Sequence, residues 1–182
     1  MSLEEIIDLI YIDLETRSNL TDLKAITHIG KFVAEKPVMR EDEVTDEIET
    51  FEIGSFRCYF FPYYNVLDDT PLDILDLADE IDGDSLWAVS FLVDKNGPIK
   101  EEYALKSGIL YIDDFKIEPK YEMLKKTAME NLISILGHSA SAITYIVDYE
   151  GDDELSGPFL GEFDFVMHDT NDKSSIWIRE QV

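Results

Sequence analysis

Carboxylates dominate the side chains able to do chemistry in this 182-residue chain, which has 40 Asp and Glu against 15 Lys and Arg, a formal net charge of −25. Three stretches concentrate them, residues 41–52, 68–84 and 148–164. From Cys58 to Asp94 there is no Lys or Arg, and none again between Lys126 and Lys173. Asp73, Asp76, Asp79, Glu80 and Asp82 share the outer face of a short predicted helix whose inner face carries Ile74, Leu75, Ala78 and Ile81. Like charges three and four residues apart weaken a helix, so the pattern points to a use for the charge itself. Asp68 and Asp69 precede that helix, and Asp152, Asp153 and Glu154 occupy a polar, turn-rich loop. Oxygen ligands of this kind suit Mg²⁺, but nothing beside them completes a ligand set, and such runs ordinarily stand as solvated charge. His28, His138 and His168 lack zinc-ligand spacing, Cys58 is alone, and no Ser-His-Asp nucleophile motif occurs. The expectation is a partner-binding acidic surface built from these ten carboxylates, with no cofactor and no metal.

The charge also sets the class of partner. Nucleic-acid binders are basic because neutralising phosphate drives their affinity; this chain repels nucleic acid and anionic lipid. Its field steers it toward basic surfaces, including the channels that grip phosphate backbones. Hydrophobic content of 45% and aromatic content of 12% argue for a folded core and against disorder. No apolar run reaches bilayer length, and the first residues lack the basic-then-apolar plan of a signal peptide. The expectation is a cytoplasmic protein with one domain over residues 1–182.

The elements that must position these groups are read from periodicity. Leu3, Ile6, Ile7, Ile10, Tyr11 and Leu14 make one helical stripe, and Leu23, Ile26, Ile29 and Val33 another. Residues 1–36 are therefore predicted as a helical pair, with Thr21 as an N-cap and Pro37 as the stop. Residues 40–49 read as an acidic linker, and Thr50 to Tyr64 as a strand with a bulge or turn at Gly54. Pro71 opens the acidic helix. Ser85 to Val93 is apolar on both faces, as a central strand is, and Asn96-Gly97 signals a hairpin into Ile99 to Leu105. Gly108 to Ile117 alternates as a strand, Pro119 stops it, and Tyr121, Leu124, Ala128, Leu132 and Leu136 form a helix ended by Gly137. Ala142 to Tyr149, Phe159 to Met167 and Ser174 to Arg179 complete the set as strands.

The run Ile117-Glu118-Pro119-Lys120-Tyr121 resembles the Val-x-Pro-x-Tyr end of the fourth strand in the GNAT acetyltransferase superfamily. The resemblance implies an α/β (α+β) fold over residues 50–182, with a mixed, mainly antiparallel sheet and flanking helices, here preceded by the helical pair. In that family the next six residues are Gln/Arg-x-x-Gly-x-Gly/Ala, which cradle the coenzyme A pyrophosphate. Here they are Glu122, Met123, Leu124, Lys125, Lys126 and Thr127, and no glycine lies between Gly108 and Gly137. Glycine matters there because a missing Cβ lets backbone N–H groups approach phosphate. The family also implies a carboxylate base at Asp114 or Glu118 and a tyrosine acid at Tyr145 or Tyr149.

In size and charge the chain is similar to the small acidic anti-CRISPR and anti-restriction inhibitors of phages. That likeness implies a non-enzymatic, nucleic-acid-mimicking inhibitor of a basic nucleic-acid-processing protein such as a Cas nuclease or another defence nuclease. The alternative is an acetyl-coenzyme-A-dependent N-acetyltransferase with a divergent cofactor loop.

Overall fold

Strand β4 (Gly108–Ile117) is the axis of the protein: its first five residues are all buried, so the sheet is covered on both faces there. A computed structural model of the chain describes residues 9–17, 25–40, 43–64, 70–94, 99–104, 106–150 and 155–181. The remaining strands are β1 (Leu9–Arg17), β2 (Ile26–Arg40), β3 (Glu43–Pro62), β5 (Ala140–Asp148), β6 (Val166–Thr170) and β7 (Ser174–Glu180). They form one seven-stranded sheet in the order β1-β2-β3-β4-β5-β7-β6. All neighbours are antiparallel except β4 and β5. A parallel pair needs a crossover, and helix α3 (Lys125–Leu136) supplies it.

Helix α3 covers one face, burying Ala128, Met129, Leu132 and Leu136 against Phe32, Phe56, Leu110, Ile112 and Phe115. Asn131 ties it to the sheet by donating from Nδ2 to the Ile10 carbonyl at 3.1 Å. Helices α1 (Ile74–Asp79) and α2 (Gly83–Ser90) cover the other face, where Ile74, Ala78, Ala88, Val89 and Leu92 meet Phe61, Ile109, Tyr111 and Ile178. A short helix α4 (Gly157–Gly161) leads into a turn at Asp164, whose φ is 63°, a conformation Asp tolerates better than most residues. Among the described residues no helix is long and apolar enough to cross a membrane.

The organising strand, its Pro119 stop and α3 ending at Gly137 stand where the sequence placed them, although the helix begins as a 3-10 turn over Pro119–Leu124. The inward residues of α1 and the strands β5 and β7 also agree. The bulge at Gly54 is present: Phe32 pairs with Gly54 and Val33 with Glu52, leaving Ile53 as the extra residue.

The predicted helical pair is corrected wherever the chain is described. Ile10, Tyr11 and Leu14 belong to β1, and Ile26, Ile29 and Val33 to β2. In β2 the buried positions are Gly30, Phe32 and Ala34, a period of two, while Ile29 is exposed. The helical stripe was a coincidence of spacing among β-branched residues that prefer a pleated surface. Leu3, Ile6, Ile7, Thr21 and Leu23 lie outside the described residues. Pro37 stands inside β2 at a register shift. There it lies opposite Ile48 of β3, two residues past Glu35, which pairs with Leu9 at the described start of β1.

Residues 43–49 are strand, not linker. From Lys36 to Glu49 the described ribbon of β2 and β3 pairs only with itself, beyond both β1 and β4. The predicted strand Ser85 to Val93 is mostly helix α2, because Asp82 caps it; a short apolar run suits either structure. Ile99 makes one bridge to Val93, and Glu101–Tyr103 is a 3-10 turn rather than strand. Asn96 and Gly97 lie outside the described residues. Pro71 bridges Tyr64 rather than opening α1, and Phe159 to Met167 forms α4, a turn and only the start of β6.

Close packing at the bulge gives a paired test. A Cβ at Gly54 would run into the Lys116 carbonyl oxygen and Ile117, whereas one at Gly83 meets nothing within 4 Å. Gly54→Ala should destabilise by about 1–3 kcal/mol and Gly83→Ala should stabilise by about 0.5 kcal/mol, both read from urea unfolding midpoints.

Candidate functional site

The carboxylates of α1 and α2 divide into two kinds once their partners are known. Asp73 is the N-cap of α1, its Oδ1 accepting from the N–H of Leu75 at 3.0 Å and of Asp76 at 3.3 Å. Asp82 is the N-cap of α2, its Oδ1 accepting from the Ser85 N–H at 2.7 Å. Each satisfies backbone donors left over at a helix start and lies in the favourable end of the helix dipole. The sequence marked both as surface charge; they also start the two helices. Asp76 and Asp79 differ: they are exposed and form no ion pair with a described residue. Glu80 is exposed too, and interacts within the chain. Asp68, Asp69, Asp152, Asp153 and Glu154 lie outside the described residues.

Two further carboxylates extend this face. Asp84, exposed in the first turn of α2, likewise has no ion pair with a described residue. Below it, Asp113 is the extra residue of a second bulge, since Arg57 pairs with Asp114 and Cys58 with Ile112. Arg57 Nε donates to Asp113 Oδ2. Burial raises the Asp113 carboxyl above the usual carboxylate range; the Arg57 hydrogen bond and charge oppose this, and Asp82 and Asp114 add to it. Tyr59 and Tyr111 stack beside it with centroids 6.3 Å apart and planes at 27°. Burial, with nearby carboxylates, pushes both phenols upward, so both stay neutral. Exposed carboxylates above and a half-buried Tyr59 below suit the ammonium and guanidinium groups of a partner, which favour both anions and aromatic faces.

The residues of the acetyl-transfer alternative lie in different surroundings. Asp114 pairs with Lys116 at 3.1 Å, and Glu118 with Lys120 at 2.8 Å. Tyr145 is 2% exposed inside the core under α3, while Tyr149 is exposed beyond β5 with its hydroxyl 3.1 Å from Thr170 Oγ1. Cys58 is buried, which pushes its thiol far up and leaves it inert. Among the described residues no three His, Cys, Asp or Glu side chains are grouped so as to hold a metal.

Asp84 and the Arg57–Asp113 pair escaped the sequence reading. Asp84 falls at the end of the acidic stretch 68–84, beside a run that reads as a strand, so its place on a helix is invisible in the sequence. Arg57 and Asp113 are 56 residues apart, and the only signal was two adjacent aspartates inside an apolar strand.

The chain matches no protein-family model, no curated protein and no solved structure.

A raised carboxyl in the fold means that ionising Asp113 costs stability as pH climbs through its folded pKa. Arg57 offsets part of that cost. Arg57→Met should therefore lose about 1 kcal/mol at pH 7 after allowing for its half-exposed side chain. The gap from wild type should narrow as pH is lowered and Asp113 takes up a proton. Urea unfolding over a pH series below 7 measures it; an unchanged gap would assign Arg57 a packing role only.

Proposed function

We propose that this protein is a non-enzymatic acidic binding protein that engages the phosphate-gripping surface of a basic nucleic-acid-processing protein, such as a Cas or other defence nuclease. The observation that carries this reading is the row of exposed carboxylates Asp76, Asp79 and Asp84 on α1 and α2, which form no ion pair with a described residue. Elsewhere the chain neutralises acidic groups locally, as in Lys31–Glu52, Arg40–Glu47 and Lys126–Glu162. Residues three apart on a helix stand roughly 5–6 Å apart, so Asp76 and Asp79 present negative charge as a spaced row. A rigid two-helix support holds the row, packed on the sheet through Ile74, Ala78, Ala88 and Val89. A partner evolved to hold phosphates along a backbone offers the matching lysines and arginines.

A second reading, the N-acetyltransferase, draws support from the topology. The strand order, the single parallel pair and the α3 crossover agree with a GNAT-like sheet. The β4–β5 ladder also stops at Ile112 and Tyr145 while both strands run on, to Ile117 and Asp148. The corner after β4 weighs against it. It is a 3-10 turn with exposed Met123, and Lys125 is held by Glu122 at 3.0 Å where glycine would let amides approach phosphate.

Two experiments separate the readings. Displacement of guide RNA from a Cas nuclease by the protein should weaken as salt rises. The triple substitution Asp76→Lys, Asp79→Lys and Asp84→Lys should reduce it by roughly tenfold or more. Because Asp73 and Asp82 are untouched, the helix caps survive. Inhibition that ignores both salt and the triple change would refute the acidic-surface reading. Thermal unfolding with millimolar acetyl-coenzyme A tests the alternative, since ligand at about 100 times its dissociation constant adds roughly 2.7 kcal/mol. A clear rise that Lys125→Ala removes would establish the cofactor site; no rise would dismiss it.

A further inference from the structure

Arg179 is anomalous among the four arginines of this chain. Arg17 pairs with Glu15, Arg40 with Glu47 and Arg57 with Asp113. Arg179, on β7, has no ion pair with a described residue, and its Nε and Nη1 are buried without a hydrogen-bond partner. The neighbouring Gln181 is in the same state at Nε2. Native proteins rarely leave buried donors unmet, and a missing ion or ligand is one of the few reasons they do.

Both side chains line an open cleft of about 430 Å³ between α3 and the end of β7. Lys106, before β4, and His138, between α3 and β5, line it as well. Lys106 also makes no ion pair with a described residue. Two cations with no described ion pair and a histidine thus meet in one cleft of a protein whose carboxylates outnumber its cations 40 to 15. Glu130 is the cleft's one acidic residue, and it forms no ion pair with either cation. Ile133 and Phe163 supply an apolar wall.

From this we infer a binding site for a small organic carboxylate with an aromatic or branched apolar body. Arg179 and Gln181, with Lys106, would receive the carboxylate, a planar acceptor that suits a guanidinium. Phe163 and Ile133 would receive the body. Glu130 disfavours a doubly charged phosphate more than a singly charged carboxylate. The site is separate from the acidic face of α1 and α2, which packs on the opposite side of the sheet.

The test is isothermal titration of the full chain with phenylacetate, isovalerate and inorganic phosphate, at low ionic strength. Phenylacetate and isovalerate should bind, with phosphate at least about tenfold weaker. Arg179→Met should weaken phenylacetate by about thirtyfold or more, while raising the melting temperature of the ligand-free protein by removing an unpaired buried charge. Glu130→Gln, at the cleft wall, should tighten carboxylate binding a few-fold and leave folding unchanged. Lys106→Gln gives a second, surface-tolerated loss. Absence of heat with either carboxylate at about ten millimolar would overturn the site, as would equal affinity for phosphate. Loss of melting temperature in Arg179→Met, with carboxylate binding kept, would make Arg179 a structural residue instead.

Discussion

Between Gly108 and Ile112, strand β4 has no face in water. That constraint dictates most of what surrounds it. Its backbone groups must be met on both edges, by antiparallel β3 and by parallel β5. Its side chains must be covered on both faces, by α3 on one side and by α1 and α2 on the other. A parallel neighbour cannot be reached by a tight turn, so α3 is both crossover and lid. Gly54 and Gly108 mark the places where the ladder beside β4 leaves no room for a side chain.

The second organising force is repulsion. A net charge of −25 on 182 residues opposes compaction, and the chain limits the cost by giving some carboxylates internal work. Asp73 and Asp82 begin helices, and Asp113 is held by Arg57. Asp76, Asp79 and Asp84 receive no such relief from a described residue, and a basic partner would lower their energy most. The cleft at Arg179 is the mirror case, a cation in a field of anions with no described anion of its own.

Strong punctuation made part of this legible in the sequence. Pro119 and Gly137 bracket α3, and the runs of β-branched and aromatic residues in β4 and β5 suit strands. The N-terminal third misled because Ile26, Ile29 and Val33 satisfy a helical period as well as lying in a strand; only pairing with β3 decides between them, and that lies beyond local spacing. Helix α2 misled for the opposite reason, an apolar run too short to carry a period. There the deciding residue was Asp82, visible as a charge but not as a cap. At the candidate site, Asp76 and Asp79 were legible from helical spacing, whereas Asp113 needed a partner 56 residues away.

The self-paired ribbon from Lys36 to Glu49 has a consequence in time rather than in space. Among the described residues its amides meet one neighbouring strand, with exposed Ile48 near its base and the ion pairs Lys36–Glu49 and Arg40–Glu47 along it. Exposed pairs of this kind hold little energy, and a two-stranded ribbon is marginal by itself. The expected consequence is that its amide protons exchange through local opening, while those of β4 exchange only on global unfolding. One sheet thus runs on two clocks, a fast arm and a slow centre.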